Sequence, residues 1–234
     1  MRAAPDGYTL LLVNPANAIN AALYPNLNFN FIRETLPVAS VCVDPMVANP
    51  SLPARTVPEF IAFAKTNTGK INRACAGAGT PPHVFGELFT MMTGVDLVHV
   101  SDRSDYMPDL LSGQVQLAFS SIPASIEFIC CALAATPARR LHTLPDIPAL
   151  AEFVPGYDAN NWYGISAPRN TPTEIADKLN KQTNAVVADP EFDMRLAAPG
   201  NVPVSMTPAE LGKFFAEETE KWAKVAKFAD IKPE

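Results

Sequence analysis

The amino-acid sequence predicts an α/β protein built around a largely parallel sheet. Short apolar or β-branched runs alternate with segments of helical periodicity, and this strand–helix–strand order is typical of α/β units. Several helices are predicted to begin where a threonine or aspartate is followed by a proline. The length of 234 residues and the apolar share of 48% suit one large or two modest domains and exclude a disordered chain.

Seven short runs are predicted to form strands. The first, 8–13, has the continuous apolar character of a fully buried strand. Because such a strand usually lies deep inside a sheet, we expect that structure upstream of it has been lost. The long apolar stretch 38–53 is broken by Pro45 and is predicted to cross from one sheet to another. The seven predicted strands are 8–13, 38–47, 71–76, 95–100, 115–119, 131–136 and 162–167.

Capping boxes mark the predicted helix starts. The segments 171–174 and 207–210 both read Thr-Pro-x-Glu, and 56–59 is a close variant. In such a box the threonine oxygen accepts from the third helical amide, and the glutamate reaches back to the cap amide. The last helix is predicted over about 208–229 with one apolar face. Further helical patterns cover about 57–67, 82–93, 106–112, 123–129 and 147–153.

The composition excludes several classes of protein. Lys and Arg total 18 against 24 Asp and Glu, so the net charge is −6 and a nucleic-acid partner is not expected. No apolar run reaches the ~18 residues of a membrane-spanning helix, and the first residues do not form a secretory signal. The 23 prolines occur without glycine enrichment, which indicates rigid loops and sharply started helices.

The cysteines and histidines predict neither a metal site nor a cofactor. Cys42, Cys75, Cys130 and Cys131 include no CxxC pair, and we expect free thiols that pack as small hydrophobes. The three histidines, at positions 83, 99 and 142, are far apart in the sequence and make no metal motif. His99 is expected to be a packed or edge residue.

The best candidate site follows the predicted strand 71–76. The chain continues through Gly77, Ala78, Gly79 and Thr80 into Pro81-Pro82-His83 and a helix. Glycines let the backbone approach a ligand, and a helix start offers free amides and a partial positive charge, so the segment predicts a carboxylate or phosphate site. The alternative is an ordinary strand–helix turn with Thr80 as N-cap. The third glycine of a dinucleotide fingerprint and the Gly-Lys-Ser/Thr of a P-loop are both absent.

Two further candidates also follow strands. Asn14, Ala16 and Asn17 lie where the first strand enters a helix, although helix capping alone would explain these asparagines. Ser120 and Ser121 end the predicted strand 115–119. Ligands of α/β proteins bind beyond the carboxyl ends of strands, which is the position that all three candidates share.

Catalysis is not expected. A serine nucleophile at position 120 or 121 needs a base and an orienting acid, and no GxSxG elbow is present. His83 is expected to point towards the ligand site, but one histidine does not make a catalytic constellation. A serine-dependent hydrolase remains an alternative hypothesis.

Motifs along the whole chain resemble the Bug family, the periplasmic solute receptors of tripartite tricarboxylate transporters. The opening Ala-Ala-Pro-Asp-Gly-Tyr-Thr-Leu and the Ala-Gly-Ala-Gly-Thr of the candidate site are among them. The resemblance rests further on 20–24, 48–53, 86–89, 93–96, 109–115, 144–148, 162–164, 167–168, 171–172 and 222–225.

This resemblance implies a two-domain periplasmic-binding-protein type II fold that closes on its ligand like a hinged trap. Residues 1–45 and 160–234 would form the first domain, and residues 46–159 the second. The ligand would be a small organic acid, a di- or tricarboxylate or a relative, held between the domains by the three candidate segments. The membrane components of the transporter would be the partners, the location would be periplasmic, and the receptor is expected to be a monomer without a cofactor.

Three departures from the family pattern bear on function. The signal peptide, first strand and Gly-rich loop of the family do not precede Arg2, so the first domain is expected to be incomplete. The family's Pro-Tyr-Lys-Gly is replaced by Ser-Asp-Arg-Ser at 101–104, and a Lys-Ala-Gly-Lys-like stretch before Cys130 is missing. The alternative hypothesis is therefore a truncated or decayed receptor without binding activity.

Overall fold

The computed structural model describes residues 3–24, 28–44, 46–52, 54–75, 77–101, 106–125, 131–197 and 200–231. The chain divides into two compact units. Unit 1 comprises Met1–Asp44 and Asn161–Lys224, and unit 2 comprises Pro45–Asn160 and Val225–Glu234.

Unit 1 contains a four-stranded sheet with the strand order β1-β8-β2-β9. Its strands are β1 (Leu11–Val13), β2 (Thr35–Asp44), β8 (Asn161–Pro168) and β9 (Val202–Pro203). The helices are α1 (Pro15–Leu23), α2 (Phe31–Glu34), α7 (Thr173–Val187), α8 (Pro190–Ala197) and α9 (Pro208–Phe228), the last of which continues from Val225 into the part of the chain assigned to unit 2.

Unit 2 contains a five-stranded sheet with the strand order β5-β4-β6-β3-β7. Its strands are β3 (Met46–Pro50), β4 (Ile71–Cys75), β5 (Leu97–Ser101), β6 (Leu117–Ser121) and β7 (Ala134–Ala135). The helices are α3 (Val57–Thr66), α4 (Pro81–Thr93), α5 (Met107–Ser112) and α6 (Ile122–Ser125), with a short 3-10 turn at Leu150–Glu152.

Helices cover both faces of the sheet in unit 2. Successive strand residues point to opposite faces, and β4 shows this clearly. Arg73 lies against Gly86 of α4, whereas the next residue, Ala74, packs with Met107 and Leu110 of α5. The unit is therefore a three-layer α/β arrangement, with α4 on one side of β4 and α5 on the other.

Two different helices also pack on the sheet of unit 1. Trp162 of β8 stacks with Phe215 of α9, with ring centroids 5.2 Å apart. On the other face, Ile165 of β8 and Leu179 of α7 pack on the buried cluster formed by Val38, Ala39 and Ala167. None of the helices in the described part of the chain is long and apolar enough to cross a membrane.

The expectation of a largely parallel sheet is wrong. All pairs in the sheet of unit 1 are antiparallel, and unit 2 is mixed, with β4 parallel to β5 and β6 but β3 antiparallel to β6 and β7. The strand–helix alternation does not determine which strands are neighbours. In unit 1, β8 comes from far along the chain and lies between β1 and β2, antiparallel to both.

The first strand is shorter and more exposed than predicted. It covers Leu11–Val13 at one end of the described sheet, and only Val13 is fully buried. Tyr8 is 93% exposed and Leu12 61% exposed. A continuous apolar run therefore did not indicate a central strand here, because side chains on an end strand alternate between the packed face and solvent.

The predicted crossing at Pro45 is confirmed. β2 belongs to the sheet of unit 1, and β3 belongs to the sheet of unit 2. Pro45 itself lies outside the described residues.

The helical pattern 147–153 forms only the 3-10 turn at Leu150–Glu152. Val154 precedes Pro155, and a residue before proline disfavours the helical backbone conformation. The pattern 123–129 is helical at Ile122–Ser125, and its remaining residues lie outside the described part. The run 131–136 pairs only at Ala134–Ala135.

The capping box at Thr207 is confirmed. The Thr207 oxygen accepts from the Glu210 amide at 3.3 Å, and Glu210 accepts from the Thr207 amide at 2.9 Å. The box predicted at Thr171 is wrong, since α7 begins at Thr173 and the buried Thr171 hydroxyl has no hydrogen-bond partner in the described structure.

Candidate functional site

Two of the three candidate segments lie at one edge of the sheet in unit 2. β4 and β6 are parallel neighbours, with Arg73 paired to Leu117 and Ala74 to Ala118. Their carboxyl ends therefore point the same way. The loop after β4 and Ser121 at the end of β6 share this edge, which is the usual ligand position in α/β folds.

The loop after β4 is a tight turn that needs its glycines. Gly77 has φ = 131° and Gly79 has φ = 72°, both in the region that side chains disfavour. The Thr80 hydroxyl donates to the Gly77 carbonyl at 2.7 Å, and the Thr80 amide donates to the same oxygen at 3.3 Å. The chain then enters α4 at Pro81.

Most donors of this loop are already used within it. The Gly77 amide lies 3.3 Å from Cys75 Sγ, and the Gly79 amide donates to His83 Nδ1 at 3.0 Å. Pro81 and Pro82 have no amide hydrogen. Thr80 is the N-cap residue of α4, as the alternative of an ordinary strand–helix turn expected, although its side chain makes no capping bond. Among residues 77–80, which the structure describes, the Ala78 amide is the backbone donor left for a ligand, and the positive end of the 13-residue α4 lies beside it.

A buried arginine holds the start of α4 in place. Arg73 is fully buried and donates from Nη1 to the carbonyls of Pro82 (3.2 Å) and His83 (3.1 Å). Its Nη2 forms an ion pair with Glu87. Burial raises the pKa of Glu87, but the hydrogen bond with His83 and the charge of Arg73 outweigh it, so the pKa lies below its ordinary value. Sequence reasoning missed Arg73, although a charged residue inside an apolar strand pattern was the available signal.

His83 makes its contacts within the protein. Its side chain is buried, Nδ1 accepts from the Gly79 amide, and Nε2 lies 3.4 Å from a Glu87 carboxylate oxygen. Its ring stacks on that of His99 with centroids 3.9 Å apart. His83 lies in the first turn of α4, directly after the loop. The hydrogen bond from the Gly79 amide holds its imidazole towards the protein interior.

A thiol and two imidazoles come together here, although no motif predicted it. Cys75 Sγ is 2.6 Å from His99 Nε2, and one ligand atom each of Cys75, His83 and His99 lies within 4.8 Å of the others. Burial raises the pKa of the Cys75 thiol and lowers the pKa of His99 to about 4, so both groups are neutral at neutral pH. Cys75 and Cys42 are buried and free as predicted, Cys131 is exposed, and Cys130 lies outside the described residues.

The two serines differ in their accessibility. Ser120 is fully buried, and its hydroxyl forms a hydrogen bond with the buried Ser125. Ser121, on the opposite side of the strand, is half-buried. A nucleophile must be reached by its substrate, so the buried hydroxyl of Ser120 does not support the hydrolase hypothesis.

In unit 1, the candidate asparagines cap α1. Asn14 Oδ1 accepts from the Ala16 amide at 3.0 Å, and Asn17 Oδ1 accepts from the Asn14 amide at 2.9 Å. Both carboxamide oxygens therefore accept hydrogen bonds from backbone amides in a capping box at the start of α1, as the capping interpretation expected. Their side-chain NH₂ groups are the donors that a carboxylate requires.

Known proteins resemble this chain over nearly its whole length. The tripartite tricarboxylate transporter family receptor (TctC) profile matches residues 1–230. The protein BugT of Bordetella pertussis is 30% identical over 97% of this chain and 73% of its own length.

Two solved structures with bound acids have the same fold. The R. palustris protein Rpa4515 with adipate has a TM-score of 0.84 and 30% identity, covering 100% of this chain and 81% of that one. MatC (Rpa3494) from Rhodopseudomonas palustris with bound malate has a TM-score of 0.77 and 26% identity, covering 95% and 80%.

These likenesses confirm the predicted periplasmic-binding-protein fold and the resemblance to the Bug family. Because the family consists of solute receptors, the prediction that the chain is not an enzyme is confirmed as well. The match over residues 1–230 shows that this chain belongs to the tripartite tricarboxylate transporter receptor family.

Proposed function

We propose that this protein is a periplasmic receptor that binds a small organic carboxylate and delivers it to the membrane components of a tripartite tricarboxylate transporter. One observation carries the proposal: two similar solved structures hold the organic acids adipate and malate. We expect a member of the same family to bind a ligand of the same class. We expect the receptor to act as a monomer.

In unit 2, we infer that one carboxylate contacts the loop after β4. The Ala78 amide donates to it, the positive end of α4 attracts it, and Gly79 permits close approach. The Thr80 hydroxyl donates its proton to the Gly77 carbonyl and so orders the turn. Its oxygen can still accept a hydrogen bond from a water molecule, and that water can donate to the carboxylate. Ser121, the half-buried serine at the same sheet edge, adds a hydroxyl.

The other proposed contacts divide into direct and supporting ones. Asn14 and Asn17 offer their NH₂ groups in unit 1, and Ala16 adds backbone next to them. His83 and Ser120 were expected to touch the ligand. Because both are buried and bonded within the protein, we assign them a supporting role.

A thermal-shift panel tests the ligand class. A ligand that binds only the folded state stabilises it by RT ln(1 + [L]/Kd), which is about 2.7 kcal/mol at a concentration of 100 Kd. Adipate, malate and citrate are compared with the uncharged diamide of adipic acid at equal ionic strength. We expect the melting temperature to rise with at least one acid and not with the diamide. No response to any acid contradicts the proposal and supports the alternative of a receptor fragment without binding activity.

Two threonine variants test the location of the site. Thr80→Ala removes the hydroxyl that closes the loop, and a lost hydrogen bond of about 0.5–1.5 kcal/mol weakens binding up to roughly tenfold. Thr68→Ala is the matched control, since the Thr68 hydroxyl also donates to a carbonyl three residues back, but at the exposed end of α3. Equal affinities of the two variants, measured by calorimetry, would remove Thr80 from the site.

Delivery is tested by transport. Cells that carry the membrane components but lack a receptor are expected to take up the labelled acid only when this protein is supplied. Uptake that does not depend on the protein would contradict the role in delivery while leaving ligand binding intact.

A further inference from the structure

The cluster of Cys75, His83 and His99 has the composition of a soft-metal site. Thiolate and imidazole together suit thiophilic ions such as Cu(I) and Zn(II), whereas hard ions prefer oxygen ligands. The three side chains come from two neighbouring parallel strands, β4 and β5, and from the first turn of α4. These elements bring one ligand atom of each residue within 4.8 Å of the others, close enough for the three to converge on one ion after small side-chain movements.

A metal ion that binds the cluster must displace one proton, because the thiolate and not the thiol is the ligand. The Cys75 thiol lies 2.6 Å from His99 Nε2, so its proton is the one that a metal ion displaces. His99 is half-buried and is the member through which an ion enters from solvent.

The surrounding residues complete the coordination environment. Glu87 lies 3.4 Å from His83 Nε2, and a histidine that binds a metal commonly donates its second ring N–H to such a carboxylate. His83 then binds through Nδ1, and the metal takes the place of the Gly79 amide on that atom. The fully buried Arg73 carries the balancing positive charge for Glu87.

Charge favours a monovalent ion. The ion pair of Arg73 and Glu87 is neutral as a unit, and a Cu(I) ion bound to the Cys75 thiolate adds no net charge. A Zn(II) ion at the same place would leave one uncompensated positive charge beside a buried guanidinium, which is costly at low dielectric. Zinc also requires a fourth ligand, and the cluster supplies three.

We propose that Cys75, His83 and His99 form a binding site for Cu(I), with Glu87 orienting His83. On binding, the S–H bond of Cys75 breaks, its proton goes to solvent, and a Cu–S bond forms, with no change in oxidation state. The stacked rings of His83 and His99 must turn out of parallel, because each imidazole lone pair lies in its ring plane. The thiol and imidazole atoms also separate to accommodate bonds of about 2.0–2.3 Å to the ion. The argument for this site does not rest on the carboxylate receptor function.

An anaerobic titration with Cu(I) tests the site. The full chain carrying Cys130→Ser and Cys131→Ser is used, because Cys131 is exposed and the two adjacent thiols would compete for copper. Cu(I) is supplied from a chromophoric chelator, and thiolate-to-copper absorption in the ultraviolet is recorded. We expect one equivalent to bind, and X-ray absorption to show one sulfur and two nitrogen ligands.

Variants in the same background assign the ligands. Cys75→Ser is expected to lower the affinity at least about 100-fold, and Glu87→Gln about 10–100-fold as an outer-sphere change. Cys42→Ser is the matched control, since Cys42 is also a buried free thiol, and it keeps full affinity. His99→Asn changes a half-buried position and is the second ligand test if Cys75→Ser does not fold.

Several outcomes overturn the proposal. They are the absence of any bound equivalent, equal loss in Cys42→Ser, unchanged affinity in both Cys75→Ser and His99→Asn, or tighter binding of Zn(II) than of Cu(I) in parallel competition.

Discussion

Replacing Arg73 with methionine is expected to destabilise unit 2 by about 3 kcal/mol. The guanidinium donates to the carbonyls of Pro82 and His83 and pairs with Glu87, and bonds of this charged kind contribute roughly 1.5–3 kcal/mol each. Removing a buried cation returns several kcal/mol of desolvation, and methionine retains much of the packed volume. The net loss therefore lies near the lower end of the ~3–5 kcal/mol typical when one partner of a buried pair is removed.

Urea denaturation, followed by far-ultraviolet circular dichroism, measures the loss in the free energy of unfolding. The measurement is made in a double-mutant cycle of Arg73→Met, Glu87→Gln and the variant that carries both changes. Because the residues form one ion pair, the two single losses should exceed the double loss by about 0.5–3 kcal/mol. Strict additivity, or a loss below about 1 kcal/mol in Arg73→Met, would refute the view that Arg73 holds the start of α4.

Gly86 provides an independent check on the same contact. A methyl group built on Gly86 overlaps the Arg73 guanidinium. Gly86→Ala should therefore destabilise the wild-type chain more than the Arg73→Met chain, in which a flexible side chain replaces the fixed guanidinium. Equal losses in both backgrounds would show that the close approach is not the cause.

Three further predictions concern single side chains. His99→Asn should reduce the fall in melting temperature that accompanies a drop in pH from 6.5 to 4. The pKa of His99 is about 4 in the folded protein, so the unfolded chain binds more protons over that interval and acid favours unfolding. An unchanged slope of melting temperature against pH would contradict the assignment. Thr207→Ala should cost about 1 kcal/mol in urea denaturation by removing the N-cap of α9, with no loss expected if the cap is irrelevant. Glu218→Ala removes the acceptor shared by the indoles of Trp162 and Trp222, each 2.9 Å away, and should cost about 2–6 kcal/mol with a shift in tryptophan fluorescence; a loss below 1 kcal/mol would count against this.

Local patterns predicted the elements better than their arrangement. The strand at Ile71–Cys75, the helix at Pro81–Thr93 and the last helix at Pro208–Phe228 lie close to their predicted positions, because each rests on periodicity and cap chemistry within a short window. The insertion of β8 between β1 and β2 depends on residues more than a hundred positions apart. No local pattern carries that information, so the sheet was wrongly expected to be largely parallel.

The candidate site shows the same division. The glycine turn and its position at a strand end were predicted, since both follow from backbone preferences. The inward orientation of His83 was not predicted, because it follows from a hydrogen bond to the Gly79 amide. The contact of Cys75 with His99 was not predicted either, because it depends on which residues two parallel strands bring alongside each other. The buried Arg73 joins these groups, and only the packed sheet shows that its guanidinium reaches the first turn of α4.

The paired prolines at the start of α4 have a consequence for selectivity. They leave the helix end with its electric field but remove two of the hydrogen-bond donors that helix starts usually offer. A field attracts any compact anionic group without regard to its lone-pair directions, whereas amides select by angle. If a carboxylate contacts this loop as we propose, the site should also accept sulfonates or phosphonates, and discrimination between acids would come from the groups that meet the rest of the ligand.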